Sequence, residues 1–211
     1  MACKNCKERT VYVDISGKPL CASHFRQLYE KKILKTIRKF RLIEKGDKLL
    51  MPVDINYCSL ALLHFLEKYC AQRRIELQIK RGKGASLSGF TKLVRADCLD
   101  KIAGMIIENF LQKSPNWDGC FPKNKIKSQN GKKHGKELIE IRPLYFISEK
   151  ESELYCKLNK IKVNKIKGKI KGEKAQNKFA NLLAEVEAKH RGTMNAIVNT
   201  FLKISGFLSA K

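Results

Sequence analysis

The stretch that most constrains the fold is a strand–turn–helix pattern between Lys48 and Tyr69. The apolar run Leu49–Val53 has the length of a buried strand, and the apolar residues from Ser59 to about Gln72 predict a helix. A short turn joins the two segments. This arrangement usually binds a phosphate, because free backbone amides point outward from the N-terminus of the helix.

Later segments repeat the alternation of strands and helices. We predict strands at "RIELQIK", at Lys92–Arg95 and at "ELIEIRPL", a short helix in "GASLSGF", and a longer helix from about Leu99 to Gln112. The segment between that longer helix and "ELIEIRPL" is predicted to be a loop, because Gly, Pro, Asn and Lys dominate it. Strands that alternate with helices indicate a parallel sheet with helices on its faces. The predicted fold class is therefore α/β.

The C-terminal third is predicted to be helical. The segment "SEKESELYCKLNK" begins with a serine cap and carries acids in its first turn, which is typical of a helix start. Two further helices are predicted at about Ala175–His190 and Thr193–Leu208. We divide the chain into a metal-binding knuckle at 1–24, an α/β domain at 25–172 that includes a basic helix at 25–41, and a C-terminal helical hairpin at 173–211.

Four metal-ligand side chains lie close to the N-terminus. Cys3 and Cys6 form a Cys-x2-Cys pair, and fourteen residues later Cys21 and His24 form a Cys-x2-His pair. Two such knuckles around the short hairpin "TVYVDISGKPL" bring four ligands to one tetrahedral point, which suits structural zinc. The prediction is one structural zinc ion, held without an open coordination position.

The charge of the chain indicates a polyanionic partner. The sequence contains 44 Lys and Arg against 20 Asp and Glu, a net charge of +24. A chain this basic repels itself unless a polyanion neutralises it, so we expect nucleic acid, mainly RNA. One cluster lies on the helix predicted from Ser23 to about Leu42, where Glu30 is the only acid. The expected RNA-binding residues there are Arg26, Lys31, Lys32, Lys35, Arg38, Lys39 and Arg41.

A second basic cluster lies between Lys157 and Lys174, where eight lysines accompany a single glutamate. The expected contacts to RNA in this run are Lys165, Lys167, Lys169 and Lys171. No apolar run reaches the roughly 20 residues that a membrane span requires. The N-terminus carries no apolar signal segment, so we expect a cytoplasmic protein. In that reducing compartment the eight cysteines are expected to be metal ligands or buried thiols.

Four segments, in the same order along the chain, resemble the cytosolic tRNA 2-thiolation enzymes. These segments are "EKKILKTIRKFRLIEKGDKLLM", "TKLVRADCLDKIAGMIIENFL", "IRPLYFISEKESELYCKLNKI" and "LLAEVEAKHRGTMNAIVNTFLK". That family thiolates uridines of tRNA with a PP-loop ATP-pyrophosphatase fold. The resemblance implies a Rossmann-like sheet of the adenine nucleotide hydrolase type, here shortened, with an N-terminal zinc knuckle and C-terminal helices.

The nucleotide-binding elements of that family are degenerate in this chain. Where the family has Ser-Gly-Gly-x-Asp-Ser, the sequence has Asp54, Ile55, Asn56, Tyr57, Cys58 and Ser59. Glycine lets a backbone approach a phosphate closely, which a β-branched residue cannot do cheaply, and an acid repels the phosphate. The second element, Thr-Gly-His-Asn, is here Arg95–Cys98. The Cys-x2-Cys pair that the family has between these two elements, for sulfur transfer or an iron–sulfur cluster, is absent here. We therefore expect no catalytic residues, no ATP and no iron–sulfur cluster.

The resemblance and its breaks together predict a non-catalytic tRNA-binding protein related to tRNA 2-thiouridine synthesis. It would act as the partner subunit of an active thiolase paralogue. The alternative is a repurposed RNA-binding or ribosome-associated zinc protein with no role in tRNA modification. A third interpretation is an enzyme with new thiol chemistry at Cys58 or Cys98, both of which lie near predicted helix starts.

Overall fold

Strands and helices alternate along the described part of this computed structural model, which comprises residues 2–81, 89–113, 115–126, 138–163 and 179–206. The strands are β1 (Tyr12–Val13), β2 (Pro19–Leu20), β3 (Lys48–Pro52), β4 (Glu76–Lys80), β5 (Lys92–Val94), β6 (Lys123–Ile126) and β7 (Leu138–Ile141). The helices are α1 (Ala22–Phe40), α2 (Tyr57–Arg73), α3 (Leu99–Phe110), α4 (Glu149–Leu158), α5 (Ala180–Lys189) and α6 (Thr193–Ile204).

The central element is a sheet with the strand order β4-β3-β5-β7-β6. β4, β3, β5 and β7 are parallel, and β6 runs antiparallel to β7 at one edge. The carboxyl ends of the parallel strands therefore meet at one edge of the sheet, and α2 and α3 begin there. The predicted α/β class is confirmed.

Strand β6 was not expected, because its residues fall in the segment predicted to be a loop. The first three residues of its sequence, "KNKI", are polar or charged. The strand therefore has no alternation of apolar and polar residues that would predict it. Its order comes from pairing with β7, in which Lys125 faces Ile139 and Ile126 faces Leu138. The short helix predicted in "GASLSGF" falls largely outside the described residues.

Helix α1 packs its apolar stripe into the core between the sheet and α4. Phe25, Ile33, Ile37 and Phe40 are buried as predicted, whereas Leu28 is half-buried against the same core. The helix also buries Tyr29, whose ring stacks on Tyr155 of α4 at a centroid distance of 4.2 Å. One side of α1 is therefore fixed, and the opposite side faces solvent.

The start of α4 carries the predicted serine cap. The Ser148 hydroxyl accepts from the amide of Glu151 at 3.2 Å, and the Glu151 carboxylate accepts from the amide of Ser148 at 3.0 Å. This reciprocal capping box satisfies two amides that a helix start leaves unpaired. At the start of α6 the acceptor comes from α5 instead, because the Glu187 carboxylate accepts from the amides of Gly192 at 2.7 Å and Met194 at 2.8 Å.

Helices α5 and α6 pack on α3 and close one side of the molecule. Trp117, in the segment after α3, contacts both α3 and α6. Its ring centroid lies 5.1 Å from that of Phe110 and 5.3 Å from that of Phe201. The part of α5 predicted before residue 179 lies outside the described residues. Among the residues that the structure describes, no helix is long and apolar enough to cross a membrane.

Candidate metal centre and nucleic-acid interface

Cys3, Cys6, Cys21 and His24 converge on one point, as their spacing predicts. The Cys6 and Cys21 sulfurs are 3.6 Å apart, and the His24 Nδ1 lies 3.2 Å from Cys21 and 3.5 Å from both Cys3 and Cys6. All four donor atoms lie within 4.8 Å of one another. When four ligand atoms each lie about 2.0–2.3 Å from one ion in a tetrahedron, the distances between them are similar to the distances between these four donor atoms. The cluster can therefore bind a metal ion.

The hairpin between the two ligand pairs is built by local hydrogen bonds. The Asp14 carboxylate accepts from the amides of Ser16 and Lys18, both at 2.9 Å, and Gly17 adopts a φ of +78° that completes the turn. Burial opposes ionisation of Asp14, but these hydrogen bonds outweigh it and lower the pKa of the carboxyl. The turn thus brings Cys21 back toward Cys3.

Two contacts attach the hairpin to the helices. The Tyr12 ring lies 4.7 Å from the Phe25 ring of α1, and its hydroxyl donates to the Glu151 carboxylate of α4 at 2.8 Å. Cys21 is the N-cap of α1 and His24 lies in its first turn, so two of the four metal ligands belong to this helix. The metal centre is consequently continuous with α1.

The basic cluster of α1 divides into exposed and engaged side chains. Lys32 forms an ion pair with Glu151 at 2.6 Å, and Arg26 donates to the carbonyl of Leu158 at 3.3 Å. Lys39 lies over the rings of Phe40 and Phe146 at 5.1 and 5.4 Å. The remaining members are exposed to solvent: Lys31, Lys35, Arg38 and Arg41.

Three of the exposed cations share one surface. Lys31, Lys35 and Arg38 follow the i, i+4, i+7 spacing of one helix face, and with Leu34 and Lys39 they line a shallow depression of about 640 Å³. Within the described residues, Lys31, Lys35 and Arg38 form no ion pair with an acid. We call these three side chains the α1 basic face. The predicted contacts Lys165, Lys167, Lys169 and Lys171 lie outside the described residues.

The turn between β3 and α2 uses its backbone amides internally. The Ser59 amide donates to the Asn56 side chain at 2.8 Å, which caps α2, and the Asp54 amide donates to the Ser59 hydroxyl at 3.0 Å. Ile55 is half exposed at the tip of the turn. Two amides of this turn, those of Asp54 and Ser59, are therefore already bonded within it.

The carboxyl edge of the sheet encloses a cavity of about 790 Å³ that this turn borders. A buried ion-pair network forms one wall. The Arg142 guanidinium donates to the Asp97 carboxylate at 3.0 Å and also binds Glu140, while Lys101 binds the other oxygen of Asp97 at 2.7 Å. Burial alone would raise the pKa of Asp97, but Lys101, Arg142 and Arg95 outweigh it and hold the pKa below its usual range.

Neither Arg142 nor Glu140 was predicted from the sequence to belong to a site. Asp97 follows β5 and Arg142 follows β7, and these strands are neighbours in the sheet. A signal was available: polar residues that directly follow adjacent parallel strands meet at the same edge. That signal can be read only once the order of the strands in the sheet is known. The sequence does not show this order, because Asp97 and Arg142 are forty-five residues apart.

Two proteins of known function are similar to this chain, whereas no protein-family model matches it. A tRNA-5-methyluridine(54) 2-sulfurtransferase of Pyrococcus horikoshii is 29% identical over 69 residues, 32% of this chain and 22% of that protein. The U34-tRNA thiolase NcsA from Methanococcus maripaludis, solved with its 4Fe–4S cluster, is 16% identical. The structural match has a TM-score of 0.71 and covers 100% of this chain and 88% of that one. These findings support a relation to the tRNA thiolation enzymes and a shared fold.

The cofactor prediction is wrong. It expected a structural zinc ion with neither ATP nor an iron–sulfur cluster. The structurally similar thiolase carries a 4Fe–4S cluster, and this chain has a four-ligand site that can bind a metal. The prediction relied on the absence of one linear Cys-x2-Cys pair. Cluster ligands are brought together in space, however, and soft thiolates bind both zinc and iron–sulfur clusters. The spacing of cysteines alone therefore does not determine the cofactor.

Proposed function

We propose that the protein is a non-catalytic, tRNA-binding relative of the tRNA thiolation enzymes that serves as the partner subunit of an active thiolase. The observation that carries the proposal is the α1 basic face. Three cations without acid partners on one exposed helix face repel one another unless a polyanion binds them. Each phosphate that they neutralise releases a counterion, which favours binding.

The turn between β3 and α2 supports the non-catalytic part of the proposal. A catalytic PP-loop needs free amides around the phosphates, whereas the amides of Asp54 and Ser59 bond within the turn. The test is a reconstituted thiolation assay with tRNA, ATP and sulfide, read by mass spectrometry of the digested nucleosides. We expect no 2-thiouridine above background from this protein alone. Thiolation at the rate of a purified active thiolase would overturn the non-catalytic assignment.

The RNA-binding part is tested by replacing the α1 basic face. The triple variant Lys31→Ala, Lys35→Ala, Arg38→Ala should weaken tRNA binding and flatten the dependence of log affinity on log salt by roughly two to three units, since each lost phosphate contact removes about 0.9. Binding is measured by filter retention between 50 and 200 mM salt. A control variant with three scattered exposed lysines replaced, Lys18→Ala, Lys45→Ala, Lys113→Ala, removes the same charge.

Equal effects of the two triple variants would mean that net charge alone, and no particular surface, drives binding. The partner assignment is tested separately by affinity purification from cells. Recovery of an active thiolase supports it, and recovery of ribosomal subunits supports the repurposed RNA-binding protein instead.

A further inference from the structure

Two cysteine side chains meet at the carboxyl edge of the sheet. Cys58 is the second residue of α2 and Cys98 is the N-cap of α3. The strands that precede these helices, β3 and β5, are direct neighbours, with Leu50 paired to Leu93. The topology therefore brings the two helix starts side by side, and both cysteines line the same cavity at this edge.

Both thiols are reachable from solvent although each residue is only 7% exposed. Cys58 and Cys98 line the cavity of about 790 Å³ at this edge. Exposed residues, including Asp54, Arg95 and Gln112, line the same cavity, so it opens to the surface. A small polar molecule can therefore reach this pair of thiols through the cavity.

A third cysteine lies nearby but differs in access. The Cys156 sulfur donates to the carbonyl of Tyr57 at 3.5 Å, and Cys156 is 0% exposed. It does not line the cavity. Burial raises the pKa of the Cys156 thiol to about 11, and the neighbouring Cys58 adds to that shift. Cys156 thus serves as an internal comparison, close to Cys58 but closed to solvent.

We propose that Cys58 and Cys98 form a redox-sensitive dithiol, which a hydroperoxide oxidises to a disulfide on the wall of this cavity. Hydrogen peroxide takes two electrons from the pair. The Cys58 thiolate attacks one peroxide oxygen, giving a sulfenic acid and hydroxide, and the Cys98 sulfur then displaces water from the sulfenic sulfur. The two thiol protons leave in the water formed, so two thiols and one peroxide give one disulfide and two waters.

The assignment of roles within the pair follows from the environment of Cys98. The neighbouring Cys58 thiol, together with burial, raises the pKa of Cys98 well above its ordinary range. Cys98 therefore stays protonated at neutral pH and is a poor first nucleophile, since thiolates react with peroxides and thiols do not. It remains next to Cys58 and can resolve the sulfenic acid. The disulfide would connect the starts of α2 and α3 covalently.

The sequence allows the product to be identified by peptide mapping. Cleavage after Lys and Arg places Cys58 alone in the peptide 49–68, Cys98 alone in 96–101, Cys156 alone in 151–157 and Cys70 alone in 69–73. The full-length, metal-loaded protein is treated with a small excess of hydrogen peroxide, its remaining thiols are blocked, and its peptides are analysed by tandem mass spectrometry. We expect the linked pair 49–68 and 96–101, absent after treatment with dithiothreitol and at least fivefold more abundant than any link to 151–157.

Variants separate this pair from general oxidation. Cys58→Ser and Cys98→Ser should each abolish the link, whereas Cys70→Ser, which removes a buried thiol of α2 away from the cavity, should leave its yield unchanged. The mapping of the unmodified protein needs no variant to fold. Irreversible oxidation of Cys58 to the sulfinic acid without any link to 96–101, or a dominant link to 151–157, would overturn the proposal. Neither outcome bears on RNA binding.

Discussion

At the scale of single residues, Asp97 shows how the carboxyl edge of the sheet is stabilised. It lies under the cavity wall with Arg142 and Lys101 on its two oxygens. Arg142 is 3% exposed and needs a carboxylate partner, because an isolated charge at that depth is costly. Glu140 shares Arg142, so the loss of Asp97 would weaken the network without leaving Arg142 wholly unpaired.

Replacement of Asp97 by Asn should lower the free energy of unfolding by about 3 kcal/mol at pH 7. The pKa of Asp97 is depressed in the folded state, so its contribution is present above the unfolded value of about 3.9. That contribution is lost as the pH falls through the folded pKa. The difference between wild type and variant should therefore shrink below about pH 4. Urea unfolding at several pH values measures it.

The matched control for this prediction is Asp118→Asn, which removes an exposed acid. Its effect should stay within about 0.5 kcal/mol at every pH. A constant difference between wild type and the Asp97 variant down to pH 2 would show that the carboxylate charge is not what stabilises this edge.

The Cys58–Cys98 pair should show a pH dependence of a different kind, because the pKa of Cys98 is raised whereas the pKa of Asp97 is lowered. Because the pKa of Cys98 is raised, its thiolate fraction is small at neutral pH and grows as the pH rises toward that pKa. Alkylation of Cys98 by a small reagent should accelerate throughout the range from pH 7 to pH 9 without a plateau. The labelled peptide 96–101 is quantified by mass spectrometry. A rate that is already constant above pH 7 would contradict a raised pKa.

At the scale of elements, we expect a metal ion at the cluster of Cys3, Cys6, Cys21 and His24 to order the N-terminal hairpin. Strands β1 and β2 have two residues each, too few to bury a core without a further constraint. Two of the four ligands belong to α1, so the metal joins the hairpin to a helix that the core already holds. Metal binding is then a local contribution to folding.

Removal of the metal should therefore loosen residues 2–21 and leave the sheet intact. In the double variant Cys3→Ser, Cys21→Ser, amide exchange should rise in the hairpin while β3, β5 and β7 keep their protection. Elemental analysis for both zinc and iron identifies the metal in the wild type. A Cys70→Ser control should retain it. Full metal content in the double variant, or uniform loss of protection across the sheet, would count against this account of the site.

Some elements were readable from sequence and others were not, for physical reasons. The four metal ligands, the strand before α2 and the serine cap of α4 are local patterns, and the structure contains each of them. Strand β6 carries no such pattern, because only its pairing with β7 orders it. The Asp97–Arg142 ion pair likewise depends on which strands are neighbours. The cofactor prediction failed because one donor set suits more than one metal centre.

At the scale of the whole molecule, the net charge of +24 is an internal repulsion that the fold must withstand. Like charges on one surface destabilise a compact chain, and salt screens them over about 10 Å at 0.1 M. Some of the acids form ion pairs, since the carboxylates of Asp47, Asp97 and Glu151 bind neighbouring cations. Much of the remaining positive charge is left on the surface.

The thermal midpoint should accordingly rise by a few degrees between 20 and 200 mM sodium chloride, because screening relieves this repulsion. Scanning calorimetry measures it, with sucrose at matched osmolality as a control for solvent exclusion. The α1 basic face variant should show a smaller rise, since three of the repelling charges are gone. A midpoint that falls with salt would indicate that attractive ion pairs outweigh the repulsion.

Under the proposed RNA-binding function, the side chains at three helix starts reduce the backbone contacts that the molecule can offer to an RNA. Asn56, Ser148 and Glu187 each bond to amides at the start of a helix, so these starts have fewer rigid, directional donors to offer a phosphate. The exposed cations, in contrast, are lysines and arginines at the ends of long flexible stems. Such contacts can shift by several ångströms with little change in energy. We expect binding that adapts to the shape of a folded RNA and depends little on its base sequence.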